Sequence, residues 1–147
     1  MSLEISKNSY QELSEALKVM PEFSRFLIEP ILCEYLSVKC AEEIKRNLKE
    51  DIYKYLTFER TLAGNILKTD DHKMPRDFKR LQEAFMEAEF GLEGLEDIQQ
   101  ITLIRNQNAH QSTSSVPYTW NQLKEKINNA SKFLDNFDKY IRNNKIT

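Results

Sequence analysis

The stretch TLIRNQNAHQSTSS, Thr102 to Ser115, sets Arg105, the amides of Asn106, Gln107 and Asn108, and His110 at the end of an apolar helical pattern. The only other histidine in the chain is His72. An arginine and a histidine at this spacing suit the cleavage of a phosphodiester in RNA. The 2′-hydroxyl must lose a proton to attack phosphorus, and the leaving 5′-oxygen must gain one. An imidazole with a pKa near 6.5 does either close to neutral pH. Charge gathers on the equatorial oxygens of the five-coordinate phosphorus, and a guanidinium is planar, permanently charged and shaped to hold them. His110 and Arg105 are therefore the candidate catalytic pair. Asn106 is the candidate that bonds the phosphate or orients the imidazole, and Asn108 and Gln111 are weaker candidates for substrate contact. This chemistry needs no metal ion and no cofactor.

Helical residues turn by about 100° each, so Asn106 and His110 share a face, with Leu103 in the same column. Arg105 and His110 diverge by roughly 140°. Three arrangements bring them to one target. Arg105 swings its long side chain around, the helix loosens near His110, or two copies of the helix meet about a two-fold axis, which C2 dimers provide without further sequence. A dimer would also supply two histidines, one as base and one as acid. A purely structural use exists as well: Asn106, Asn108 and Gln111 cap the helix end, and His110 bonds its last carbonyls. That use leaves Arg105 unexplained, because it sits between Ile104 and Asn106 on the angular side of Ile98 and Ile101, where a buried guanidinium needs a partner or an anion.

The elements that must position this motif are helical. The 147 residues fit a single domain over 1–147, with residues 1–8 read as disordered or as a remnant of expression. Three glycines and four prolines are too few for a loop-rich or all-β chain, and Leu, Glu, Lys, Gln and Ala abound. No apolar run approaches a membrane span or a signal sequence. Cys33 and Cys40 lie about 10 Å apart along a helix, too far for a mutual disulfide, and read as reduced core thiols of a cytoplasmic protein. Residues 101–147 carry 7 Lys and Arg against 3 Asp and Glu, whereas residues 1–100 carry 14 against 20. The basic part contains the motif, which suits an anionic ligand only weakly and an ordinary solvated face better.

Along the chain, Ser9 to Glu12 forms a capping-box pattern, followed by Tyr10, Leu13, Leu17 and Met20 at helical spacing up to Pro21. Pro30 is expected to open the next helix. Its apolar stripe would run Ile31, Tyr35, Val38, Ala41, Ile44, Leu48, Ile52 and Tyr55, widened by Leu32, Cys33, Leu36 and Cys40. Lys39 and Glu43 would pair on its solvated face, and its length would be roughly 39 Å. A shorter helix over 58–67, a polar loop carrying His72 and a helix over 78–91 follow. The motif helix starts near Leu95. Thr119 to Gln122 is a second capping box, and Trp120, Leu123, Ile127, Ala130, Leu134, Phe137 and Ile141 then step by three and four. That repeat suits either core packing in a bundle or a helical dimer seam. The expected fold is all-α, an up-and-down bundle of four or five main helices.

LIRNQNAH resembles the R-N-x-x-x-H signature of the HEPN superfamily (higher eukaryotes and prokaryotes nucleotide-binding domains). The long early helix, the N-I-L segment, GLEDIQQITLIRNQNAH and the closing amphipathic helix are most similar to the small prokaryotic RiboL-PSP or MAE-like branch. The likeness spans most of residues 10–145, although about six residues carry it. It implies a helical bundle whose motif lies at a helix end, a homodimer with both motifs in one cleft, and a metal-independent endoribonuclease of the toxin or phage-defence type. Arg105 and His110 match the family's catalytic pair and Asn106 its polar neighbour. An antitoxin partner is also implied, with one departure: the tyrosine that certain antitoxins modify, two residues after the histidine, is Ser112 here, and the next tyrosine is Tyr118. The alternative is a non-catalytic helical module that binds a nucleotide, RNA or protein through the same cleft. Zinc spacing, a P-loop and a dinucleotide loop do not occur in the sequence.

Overall fold

The computed structural model describes residues 2–55, 94–110 and 116–143, with the helical path alone for 49, 51–55, 105–110 and 140–143. The helices expected over 58–67 and 78–91, and the loop with His72, lie outside the described residues. Among the described residues the chain forms four helices and no strand: α1 (Glu4–Lys18), α2 (Glu22–Tyr55), α3 (Leu95–His110) and α4 (Trp120–Asn143). This is the all-α bundle that the composition implied. No helix among these residues is long and apolar enough to cross a membrane.

Side-chain contacts give the helix directions. Ser6 meets Glu43 while Tyr10 lies near Cys33, so α1 and α2 are antiparallel. The amide of Ser2 donates to Asp135 while the Tyr10 hydroxyl reaches the carbonyl of Trp120, so α1 is also antiparallel to α4. Lys126 meets Asp97, and Gly94 abuts Asn129, which makes α3 antiparallel to α4. The helices thus run up, down, up and down.

The start of α4 follows the sequence closely. The Thr119 amide donates to the Gln122 side chain at 2.9 Å, and the Gln122 amide donates to the Thr119 hydroxyl at 3.2 Å. This reciprocal pair serves two of the amides that a helix start leaves without partners. From there Trp120, Leu123, Ile127, Ala130, Leu134 and Phe137 are all buried, joined by Phe133. Of the two uses open to this repeat, its described residues serve the chain's own core.

The start of α1 does not follow the expected pattern. The helix begins at Glu4, not at the Ser9 capping box, and Leu3 is buried with a left-handed backbone, φ 60°. The cap comes from another helix. Glu43 of α2 accepts the Ile5 amide at 3.1 Å, the Ser6 amide at 2.9 Å and the Ser6 hydroxyl at 2.6 Å. A carboxylate at a helix N-terminus satisfies orphan amides and opposes the positive end of the dipole. Glu43 is therefore buried, not a solvated partner of Lys39, which instead lies 3.8 Å from Glu42.

In α2 the proline expected to open the helix lies inside it. The helix starts at Glu22, eight residues before Pro30, and spans about 51 Å. Proline leaves the carbonyl four residues back without its intrahelical donor. Phe26 and Pro30 are both exposed, so water can serve that carbonyl. The buried stripe also differs from the expected one. Cys33, Leu36, Cys40, Ala41, Ile44 and Leu48 are buried, but Ile31 and Tyr35 are 64% and 53% exposed. One side of this half of α2 is buried within the bundle, and among the described residues Ile31 and Tyr35 lie on a second apolar side that remains exposed.

Candidate active site

The motif helix α3 is fixed at its start. Gly94 has φ +91°, and a Cβ there would lie 2.2 Å from the carbonyl oxygen of Asn129, so glycine is required both for the turn and for the approach to α4. Ile98, Ile101 and Ile104 are then fully buried, and the Thr102 hydroxyl donates to the Ile98 carbonyl at 2.9 Å. Leu103, on the other side of the helix, is 49% exposed. Lys126 ties α4 to α3, 3.4 Å from Asp97 and bonded to Gln100, with its ammonium 5.2 Å from the centre of the Tyr118 ring.

Arg105, Asn106, Asn108 and His110 all lie on the last turns of α3, and the helix continues through His110. His110 is the last helical residue described, and the hydroxyl-rich tail that follows it lies outside the described residues. The side chains of the motif residues, and Gln111 altogether, also lie outside them. The helical register still places their backbone positions. Arg105 falls within the arc of Ile98 and Ile101, and His110 lies within about 20° of Leu103. The two positions thus continue a buried face and an exposed face respectively. A single copy can join them at one phosphate only if the arginine reaches around the helix; a second copy needs no such reach.

The motif's level in the bundle follows from the contacts of α4. Lys126 sits level with Asp97 and Gln100. Stepping back from Lys126 to Tyr118 matches stepping forward along antiparallel α3 to the Arg105–Asn108 turn. Tyr118 in turn contacts α2: its hydroxyl is 2.7 Å from that of Ser37, and its carbonyl accepts from the Cys33 thiol at 3.6 Å. Burial, and then the neighbouring Glu29 carboxylate, push the Cys33 thiol up to about 12. Burial raises the Tyr118 phenol, against the bond from Ser37 that lowers it. The motif's turns therefore share one end of the bundle with a neutral thiol, a neutral phenol and the N-terminal half of α2.

Two surface hollows are lined by described residues, and neither was anticipated from the sequence. One, of about 610 Å³ between α1 and α4, has Lys7, Lys18 and Lys124 at its rim beside Tyr10, Asn121 and Asn128. Tyr10 stacks on Trp120 there, ring centres 4.4 Å apart, and the Trp120 indole donates to Ser14 at 2.9 Å. The other, of about 420 Å³, lies between α3 and α4 around Asp97, Gln100, Tyr118, Gln122 and Lys126. The lysines of the first come from two helices far apart in sequence, so no local pattern could have marked them. No family model, curated protein or solved structure matches the chain.

Proposed function

We propose that this chain is a metal-independent endoribonuclease that acts as a homodimer. The observation that supports the reading is the R-N-x-x-x-H motif on the final turns of a helix in an up-and-down helical bundle. In this reading His110 of one copy removes the 2′-hydroxyl proton and His110 of the other protonates the 5′-oxygen. Arg105 neutralises the charge that develops on the phosphate, and Asn106 orients the reacting groups. Asn108 and Gln111 contact the RNA strand nearby. The products carry 2′,3′-cyclic phosphate and 5′-hydroxyl ends. The setting is the cytoplasm, where the two buried thiols stay reduced. The role is that of a toxin or defence effector held in check by an antitoxin protein.

The test is incubation of purified protein with transfer RNA or total RNA in EDTA. Wild type is expected to cleave and leave cyclic phosphate ends. His110→Ala and Arg105→Ala are expected to lose this activity while keeping the helical circular dichroism of wild type. Arg105→Lys keeps the charge but loses the two-pronged donor geometry, and most activity should go with it. Cleavage by His110→Ala at the wild-type rate would overturn the proposal in favour of a binding module.

A further inference from the structure

Homodimerisation enters the proposed function as a requirement, without a surface. The burial pattern of α2 supplies one on independent grounds. Phe23, Phe26, Leu27, Ile31 and Tyr35 are 75%, 75%, 53%, 64% and 53% exposed. With aromatic side chains offering about 200 Å² each, these five leave roughly 600 Å² of largely apolar surface in water. That is at the upper end of the largest patch carried by an ordinary monomer. It also approaches the roughly 800 Å² that each partner contributes to a standard interface.

The pattern of the patch points to its occupant. Phe23, Leu27, Ile31 and Tyr35 follow one another at four-residue steps and form a single ridge on α2. Read from either end, the ridge goes aromatic, aliphatic, aliphatic, aromatic. Such an order is matched by its own antiparallel copy. A two-fold axis at the level of residue 29 sets Phe23 against Tyr35, and Leu27 against Ile31, twice over. An isologous contact must be complementary to itself, and this ridge is.

We infer that the open ridge of α2 is a homodimer interface, closed by the same ridge of a second copy in antiparallel register. The interface occupies the end of the bundle that carries Tyr118, Cys33 and the last turns of α3.

The experiment reads mass, so its result is separate from that of the RNA assay. Full-length wild type, Leu27→Glu and Ile31→Lys are compared by sedimentation and by light scattering, each variant first shown to keep wild-type circular dichroism. Both sites are more than half exposed, so a charge there does not enter the core. Wild type should have twice the chain mass, and each variant alone the mass of one chain. The register makes a sharper demand. In an equimolar mixture, the carboxylate introduced in one variant would face the ammonium introduced in the other. The second contact of that mixed pair stays native, so the dimer should return. A monomeric wild type, variants that remain dimeric, or a mixture that stays monomeric would each overturn the inference. A monomeric wild type whose melting temperature falls on either substitution would place a segment of the same chain on the ridge instead.

Discussion

Two apolar stripes meet different fates in this molecule. That of α4 runs from Trp120 to Phe137 and vanishes into the core, with Leu123, Ala130 and Leu134 wholly inaccessible. That of the N-terminal half of α2 runs from Phe23 to Tyr35 and remains in water. The difference lies in what surrounds each helix. α4 has one apolar face, and α1, α2 and α3 all press upon it. This part of α2 has two. The face of Cys33, Leu36 and Cys40 is buried within the bundle, and among the described residues the other remains exposed. Burial is thus decided by the number of neighbours a helix has at a given level and not by the number of its apolar residues.

A matched truncation breaks this comparison if it is mistaken. Phe133→Ala removes a ring that is wholly inaccessible and should cost about 3–5 kcal/mol, read as a shift in the urea midpoint. An effect below about 1 kcal/mol would mean that α4 is not packed as described. Gly94→Ala comes next, because it meets both a positive φ and the backbone of Asn129. We expect a loss of about 2–4 kcal/mol, since neither the turn nor a main-chain oxygen yields cheaply. Glu43→Ala should cost about 2–3 kcal/mol by leaving the amides of Ile5 and Ser6 without an acceptor. Glu43→Gln keeps an acceptor oxygen and should recover part of that loss in the same melt.

These sites also show what the sequence made legible. The α4 start was readable because its cap is local: Thr119 and Gln122 are three residues apart and serve each other. The α1 start was not, because its cap is a carboxylate 37 residues away that looks, by its neighbours, like half of a surface ion pair. Pro30 misled for a related reason. A proline normally marks a helix start, but an exposed carbonyl in a long helix tolerates it. For the candidate site, spacing alone was enough to divide Arg105 and His110 between two faces, and the continuous helix through His110 keeps them divided. What periodicity cannot report is which of two apolar faces receives a neighbour, and Ile31 and Tyr35 were misplaced on that account.

Alkaline pH probes the covered side of α2. Burial pushes the thiols of Cys33 and Cys40 up to about 12 from an ordinary value of 9.0. Below pH 9 both folded and unfolded chains hold these protons, and stability is unaffected. Above it the unfolded chain releases them while the folded chain does not, so stability falls and continues to fall until about pH 12. Between pH 9 and pH 10 each thiol should contribute a loss of about 1 kcal/mol. Urea midpoints for wild type and for Cys40→Ala across that interval measure it. The variant should show the shallower decline, and identical slopes would mean that the thiol is more hydrated than its burial indicates.

The smallest effect is the most telling for the open side. Phe26→Ala makes the same chemical change as Phe133→Ala, but on a ring that is 75% exposed. In the dilute monomer it should change stability by less than about 0.5 kcal/mol, as surface truncations do. If the ridge is shared between copies, that near-neutrality holds only at low concentration. Wild type then gains stability as concentration rises, because association draws on the folded state alone, and Phe26→Ala gains less. Melts over a wide range of protein concentration separate the cases. A wild-type midpoint that does not move with concentration, together with a Phe26→Ala cost near that of Phe133→Ala, would mean that the ring is covered within its own chain and that the two stripes do not differ after all.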